Sequence, residues 1–533
     1  MTLADFEPLS RAEQLVLIAY RTGRIARVGF RRPSAATADV TVRGEFLSFL
    51  ARGAGDRGSA SGKRIDVLGA WIKGRFTVQG VTVPVSLWMF RCRFESAPVL
   101  DGARVLGSVS FPGCLLPALH AQGCLIAGSL ALNAGCQVPG AVRLSRSAIL
   151  RDLNADRGRL GAGFDAPASG QVPLLAEALR VGGSVRLGKG LEVAGEVRLT
   201  GARIEGDLIA TGARLHGSVD SDGERLTALN LDRVQVAGSV LLDGGFSAAG
   251  MVRLERARIG GDFDGSDAAF DVVGDSTWSD GAALLLDGAW IGGAMRLRRL
   301  KTPLLGASLV DARVGTLADD ATTWGQRHVL DGFRYGRLAD GAPTQAAFRR
   351  SWLTRQAAAH LNGDFRPDPW RRAIKVLRRM GHDLDAEQLA VDRENWLRRA
   401  DRIGLGMPVG LRWLPRLGHA AFGWLAGYGH RPRRLLLCML VVWLACALLY
   451  HWGGQKGALA PANPLLYSLE RMLPALDLMQ RHAAATVTDA VVAGVPWNTL
   501  MRVVMVAQGA LGWLAAVTLV ATLAGWADRD RRG

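Results

Sequence analysis

Gly195-Glu196-Val197-Arg198-Leu199-Thr200-Gly201-Ala202-Arg203-Ile204-Glu205-Gly206-Asp207-Leu208 contains one short phrase twice. Each copy opens with a glycine, a polar residue and a β-branched or leucyl residue, and Gly-Ala-Arg-Ile joins the two. The opening glycine recurs at 107, 128, 140, 183, 195, 206, 217, 238, 250, 261 and 293, in steps that are mostly multiples of about 11 with a doubled unit near 22. Inside each unit apolar residues alternate with polar ones, the period of a strand rather than a helix. Such a unit is too short for a helical repeat. Strand runs of a few residues, broken at Gly-Ala or Gly-Ser, predict a mainly β fold: a right-handed parallel β-helix, or solenoid, over residues 35–340. One coil would take roughly 20–24 residues, with Leu, Ile, Val and Ala stacked inside. Residues 52–63, 158–172 and 264–281 lack the alternation and read as loops bulging from one edge.

The rest of the chain is arranged around this repeat. Ser10-Arg11-Ala12-Glu13 has the S-x-x-E pattern of a capping box, and Leu15, Ile18 and Ala19 follow at helical spacing. A helix over 11–22 is therefore expected, within an N-terminal cap over 1–34 that covers the open end of the stacked repeats. A second short helix is expected over 44–51. Glycine supplies 66 of 533 residues without a Gly-X-Y period, which excludes collagen, and 49% hydrophobic residues exclude general disorder. Cys92, Cys114, Cys124, Cys136, Cys438 and Cys446 form no C-x-x-C pair and have no neighbouring histidine, so neither a zinc site nor a secreted disulfide framework is indicated. Cys114, Cys124 and Cys136 are expected to stack inside the solenoid, and Cys438 and Cys446 to be small buried hydrophobes. Residues 1–32 lack an apolar signal core, so this domain is expected in the cytoplasm.

The A-x-I/L-x-G-x-L phrasing resembles the pentapeptide-repeat β-helices. With Glu45-Phe46-Leu47, the Gly-Ala-Arg-Ile units and Asp331-Gly332-Phe333-Arg334-Tyr335, the wider layout is similar to a family of bacterial membrane proteins often labelled membrane-associated oxidoreductases. The resemblance implies a membrane-anchored β-helix and, by its label, a redox activity.

At Pro343 the composition changes. Residues 344–361 and 369–402 have helical spacing, with Asp368-Pro369 as a strong helix start and a stop at Gly381. A basic helical region over 341–430, built on an antiparallel hairpin, is expected. The net charge of the chain is +17, and residues 343–434 hold 18 basic and 8 acidic side chains, so +10 of that excess lies here. Two stretches free of Asp, Glu, Lys and Arg follow, 435–452 and 503–526, each close to the ~20 apolar residues a bilayer requires. They define a transmembrane hairpin over 431–533. Arginines at 431, 433 and 434 precede the first span and those at 529, 531 and 532 follow the second, so both termini are expected in the cytoplasm and the loop 453–500 outside. The bacterial inner membrane is the implied location. Arg371, Arg372, Lys375, Arg378, Arg379, Arg431, Arg433 and Arg434 are candidates for anionic lipid, where each cation near the surface contributes ~1 kcal/mol. The repeats lack interleaved aromatics, which argues against nucleic acid.

Within the outer loop, Leu469, Met472, Leu473 and Leu476 recur at helical spacing and suggest a re-entrant or interfacial helix over 463–478. Span, short helix, span is also the plan of a channel pore, but no TVGYG-like filter follows Leu478. Gly161-Ala162-Gly163 and Gly404-Leu405-Gly406 lack the strand-to-helix setting of a dinucleotide site. Glu196, Glu205, Asp207, Asp262 and Asp264 read as a solvated ladder paired with arginines at 198, 203, 214 and 258, and His216, His328 and His382 stand alone. No catalytic, cofactor or metal residues are assigned. The expected function is a membrane-tethered scaffold that binds a protein partner through the solenoid surface; a pore gated by the cytoplasmic domain and the oxidoreductase of the family label are the alternatives. A homo-oligomer through the hairpin is compatible with either membrane reading.

Overall fold

The Gly-Ser and Gly-Asp pairs of the repeat have a steric cause, visible in the computed structural model. It describes all residues except 1, 54–63, 163–169, 220–225, 272–281, 358–360, 362–363, 401–402, 404–410, 412, 429–431, 456–462, 474–490, 493–494 and 531–533. Each Ser or Asp accepts the backbone N–H of its counterpart in the next stacked strand. Ser184 N–H donates to Asp152 Oδ1 (2.8 Å), Asp207 to Ser184 Oγ (3.1 Å), Ser239 to Asp207 Oδ1 (2.8 Å) and Ala294 to Asp262 Oδ1 (2.6 Å). The accepting oxygen occupies the place where a Cβ on the preceding residue of the next strand would stand. Gly183, Gly206, Gly238, Gly261 and Gly293 are there for that reason. The glycine of Gly-Ala serves another purpose: Gly201 turns a corner at φ +66°.

The strands these pairs introduce stack in parallel. One column of partners runs through Arg104, Leu125, Ala148, Arg180, Arg203, Gln235, Arg258, Trp290, Arg313 and Arg334, each in register with the next. It belongs to a 21-stranded sheet, beside a 10-stranded sheet and a 6-stranded sheet that form further columns. Partners are 21 to 23 residues apart, or 32, as when Arg203 pairs with Gln235 and Gln235 with Arg258. The 11-residue phrase is thus about half of a stacking period, since successive phrases enter different sheets: Val185 and Leu208 lie in the 21-stranded sheet and Val197 between them in the 10-stranded one. The residue after each member of the column points inward: Ile126, Ile149, Val181, Ile204, Val236 and Ile259 are buried, each contributing about 1.5–3 kcal/mol.

Of the expected loops, residues 54–63, 163–169 and 272–281 lie outside the described residues, and parts of the rest are strand. Arg159–Leu160, Phe263–Asp264 and Ala269–Asp271 are strands, because their inward residues still fit the core. A further interruption has no signal in the sequence: Ser218–Val219 folds back antiparallel on Leu226–Thr227. Three breaks recur at one place in the topology. Each follows a strand of the six-stranded sheet, the strands that hold the register-equivalent residues Leu160, Leu215 and Phe270, which are 55 residues apart.

Helix α1 (Arg11–Thr22) begins with the expected capping box, Ser10 Oγ accepting from Glu13 N and Glu13 Oε2 from Ser10 N. Buried Glu13 also holds Arg43 by a charge-assisted bond of 2.7 Å, which ties the cap to the first strands. The sheet itself starts inside the segment assigned to the cap, at Ala26–Arg27, which pairs with Val67 and Leu68. Helix α2 (Gly44–Ala51) buries Phe46, Leu47 and Leu50.

At the other end, α3 (Ala346–Thr354) is shorter than the sequence pattern suggests. It brings Arg349 onto Asp319 in a bidentate pair (2.7 and 2.9 Å) with both side chains 0% exposed. Trp324 Nε1–H donates to the same carboxylate (2.7 Å), and Arg349 Nε donates to the Pro343 carbonyl. His328 is buried against Trp324, its Nε2 3.2 Å from the Gly325 carbonyl oxygen. Burial lowers its pKa from the ordinary 6.5 to about 4, with nearby Arg355 acting in the same direction. The unfolded chain therefore binds a proton that the folded one refuses between those values, and stability falls as pH drops through that window, by at most about 3 kcal/mol. His328→Gln should flatten the fall in melting temperature between pH 7 and pH 4; equal slopes in the two proteins would remove His328 as its cause.

The chain divides into two compact units, Met1–Val376 and Leu377–Gly533, with the boundary inside α4 (Asp368–Arg379). Trp370, Ala373, Ile374 and Leu377 form the buried stripe of α4 at i, i+3, i+4 and i+7. Gly381, at φ +80°, ends it, and His382 occupies the N-cap position of α5 (Asp383–Arg399). The second unit continues with α6 (Trp413–Ala426), α7 (Pro432–Gln455), α8 (Pro464–Met472) and α9 (Trp497–Asp530). Residues Arg433–Gln455 and Thr499–Val520 are long and apolar enough to cross a membrane, with only 17% of each most apolar window buried.

Candidate functional site

Most of the charged residues singled out in the repeat are already engaged. Glu196 is held by Arg198 (2.6 and 2.9 Å), and Arg214 reaches Glu192. Asp207 and Asp262 accept backbone N–H groups of the ladder, Asp262 also binds Arg296, and Asp264 accepts from Ser266 N. Asp262 is held below the usual carboxylate range: burial works against this, but the Ala294 N–H and the Arg296 guanidinium outweigh it. Carboxylates engaged in this way are structural.

Arg203 and Arg258 do not fit that pattern, and the ladder pairing expected for them is not formed. They belong to the column described above with Arg104, Arg180, Arg313 and Arg334, and all six are exposed. None of the six forms a side-chain ion pair or hydrogen bond with another described residue. Arg180 lies directly opposite Arg203, and Arg313 opposite Arg334, at a strand spacing of about 4.8 Å. Like charges opposite one another in a sheet are destabilising. Trp290, 46% exposed, stands in the same column between Arg258 and Arg313. The sheet thus carries a row of unopposed guanidinium groups with an aromatic among them. Arg104 and Arg313 keep the 11-residue phase of Arg203 and Arg258, whereas Arg180 and Arg334 fall one residue off it, so strand register rather than the phrase brings the six together.

Of the residues expected at the lipid surface, Arg371, Lys375 and Arg379 form one exposed stripe of α4, and Arg433 and Arg434 are exposed at the start of α7. Arg372 instead donates through Nε to the Tyr335 carbonyl (2.9 Å) and lies over the Tyr335 ring, so it fixes α4. Arg378 is partly buried, and Arg431 lies outside the described residues. Gly161 (φ +87°) closes a strand against Ala194 and Pro173; Gly163, Gly404 and Gly406 lie outside the described residues. The stacked cysteines are Cys92 and Cys114, joined by a Cys92 N–H to Cys114 Sγ bond, with Cys136 next in line; Cys124 sits elsewhere and donates its N–H to Ser147 Oγ. All are free and buried, and desolvation pushes the Cys136 thiol up to about 12, so these are inert core groups. Among the described residues no group of three or more His, Cys, Asp or Glu is placed to hold a metal ion.

The second polar feature is inside the second compact unit. Helix α8 packs on α7 and α9, and the face it buries is Tyr467, Ser468, Glu470 and Met472. Leu469 and Leu473 are half-buried, Leu473 being the C-cap, and Leu476 lies outside the described residues. Tyr450 OH donates to Gln508 Oε1 (2.7 Å), and Gln508 Nε2 donates to Ser468 O and Oγ (2.9 and 2.7 Å). Ser468 Oγ donates to the Trp443 carbonyl, and Trp443 Nε1 to the Leu465 carbonyl (2.9 Å each). Each of the two long apolar helices is thereby bonded to the short helix.

Compared with protein-family models, with curated proteins and with solved structures, the chain finds no match in any of the three.

Proposed function

We propose that this protein is a membrane-tethered scaffold whose repeat domain, a right-handed parallel β-helix, binds an acidic protein partner along its arginine column. The unopposed arginines carry the reading: a sheet that keeps like charges in register loses stability unless an anionic surface covers them. Parallel partners separated by 21 to 33 residues support the solenoid. The two apolar helices support the tether, and the arginines flanking them favour cytoplasmic termini at a bacterial inner membrane. Recognition would be salt-dependent, with Trp290 supplying an apolar anchor in a cationic row.

The test uses the full-length protein in nanodiscs. Binding of a Glu/Asp-rich peptide, followed by fluorescence anisotropy, should weaken at least tenfold between 50 and 300 mM salt. The triple reversal Arg180→Glu, Arg203→Glu, Arg258→Glu should abolish it, while Arg198→Glu, which alters a paired arginine, should leave most of it. Undiminished binding by the triple variant sinks the proposal. A pore reading draws on the short helix bonded between two spans; it stands or falls on ion flux in liposomes and on an oligomer with a central axis. The redox activity implied by the resemblance would show as a flavin or haem absorption band in the solubilised protein.

A further inference from the structure

Helix α6 has two apolar faces. Trp413, Leu417 and Trp424 are 57–74% exposed on one of them. Gly418, Ala421 and Phe422 form the other, spaced i, i+3 and i+4. This second face is one wall of an open cavity of about 300 Å³, whose other walls are α7 at Leu435, Cys438 and Val442 and α9 at Leu511, Ala515 and Thr518. The lining is almost wholly apolar, and Met472 of α8 closes the floor. From Leu435 to Val442 the cavity extends about 10 Å along α7, the depth of part of one leaflet. Its size is at the lower end of small-ligand sites.

The chemistry at its mouth is cationic. Arg434 precedes Cys438 by one helical turn, and Cys438 precedes Val442 by another, so the three share one stripe of α7. Arg433 and Arg434 are both exposed. An amphiphile with an acyl chain among Cys438, Val442 and Ala515 would have its headgroup at these guanidinium groups, where a phosphate is the matching anion. Trp413 and Trp424, both exposed on α6, have rings of the kind that favour the headgroup level.

We infer that the groove between α6, α7 and α9 is a specific site for an anionic glycerophospholipid of the surrounding leaflet, its acyl chain in the cavity and its phosphate on Arg433 and Arg434. This rests on the membrane reading of α7 and α9, but not on the scaffold reading of the repeat domain.

The full-length protein, reconstituted in nanodiscs of mixed phosphatidylglycerol and phosphatidylcholine and released into the gas phase, should retain about one phosphatidylglycerol per chain in native mass spectrometry. Arg433→Gln with Arg434→Gln should lower the preference for phosphatidylglycerol at least fivefold while keeping some lipid bound. Ala515→Trp, which fills the cavity, should remove both lipids; an unchanged melting temperature in detergent shows that the variant is folded. Equal retention of both lipids by the unaltered protein, or a preference that survives the double arginine variant, overturns the site. Retention of a second copy of the chain in place of lipid overturns it in favour of an oligomer interface. Failure of the protein to enter nanodiscs at all would instead count against the membrane reading itself.

Discussion

Arg349→Leu is expected to lower the stability of the repeat unit by about 3–5 kcal/mol, the cost of leaving a buried carboxylate without its counter-charge. Asp319 would keep one strong donor, the Trp324 indole, where it now has three. The guanidinium also lies against the rings of Phe348 and Trp352, so packing of α3 onto the last strands would loosen with it. At a few degrees per kcal/mol for a domain of this size, the melting temperature should fall by roughly 10 °C. The informative partner is Asp319→Leu with Arg349→Leu. Replacing both charges by apolar groups removes the uncompensated carboxylate and should restore most of the loss. If the double variant melts no higher than the single one, the ion pair is not what the single substitution damages.

Gly512→Leu should have the largest effect in the second compact unit. A Cβ at this position of α9 falls on the backbone carbonyl of Met472, the last residue of α8, and backbone cannot swing aside as a flexible side chain can. Helix α8 would have to move away, separating Ser468 from Gln508 and leaving both short of partners in an apolar setting. Overpacking of this kind costs about 3 kcal/mol. Thermal unfolding in detergent, read through the environment of Trp443, measures it. Gly509→Ala is the matched control, since its Cβ would meet only the Arg471 carbonyl oxygen, at 3.9 Å. Loss in the first variant and none in the second is the expected outcome, and equal melting of Gly512→Leu and the unaltered protein would show that α8 is not seated there.

What could be read from the sequence was what depends on neighbours in the chain. Ser10 and Glu13 are three residues apart and cap their own helix, so the pattern alone suffices. The two long apolar helices are a matter of length and composition. Gly206-Asp207 is visible as a phrase, but its cause is Ser184 below and Ser239 above, 23 and 32 residues away from Asp207. Alternation between those two intervals hides the true period behind a step of 11. The same shift misplaces the cysteine stack, for Cys92, Cys114 and Cys136 are 22 apart and Cys124 is not in phase. Each arginine of the column looks, alone, like a solvated strand end; only register turns six of them into a row. Helix α6 is obscured by Pro415, tolerated because it lies in the first turn, and by Gly418 and Gly423.

The register-equivalent residues Leu160, Leu215 and Phe270, each in the strand before a break, and the ladder carboxylates Asp152, Asp207 and Asp262 keep the same 55-residue beat. Residues one beat apart meet equivalent partners, which makes the domain a ruler with a fixed graduation. Excision of residues 153–207 would join Asp152 to Leu208, put Ser239 over Asp152 as it now sits over Asp207, and return every later strand to a matching neighbour. Length is then adjustable in whole graduations while both capped ends stay as they are. The number of arginines in the row would change with it, so reach and charge are set by the same count.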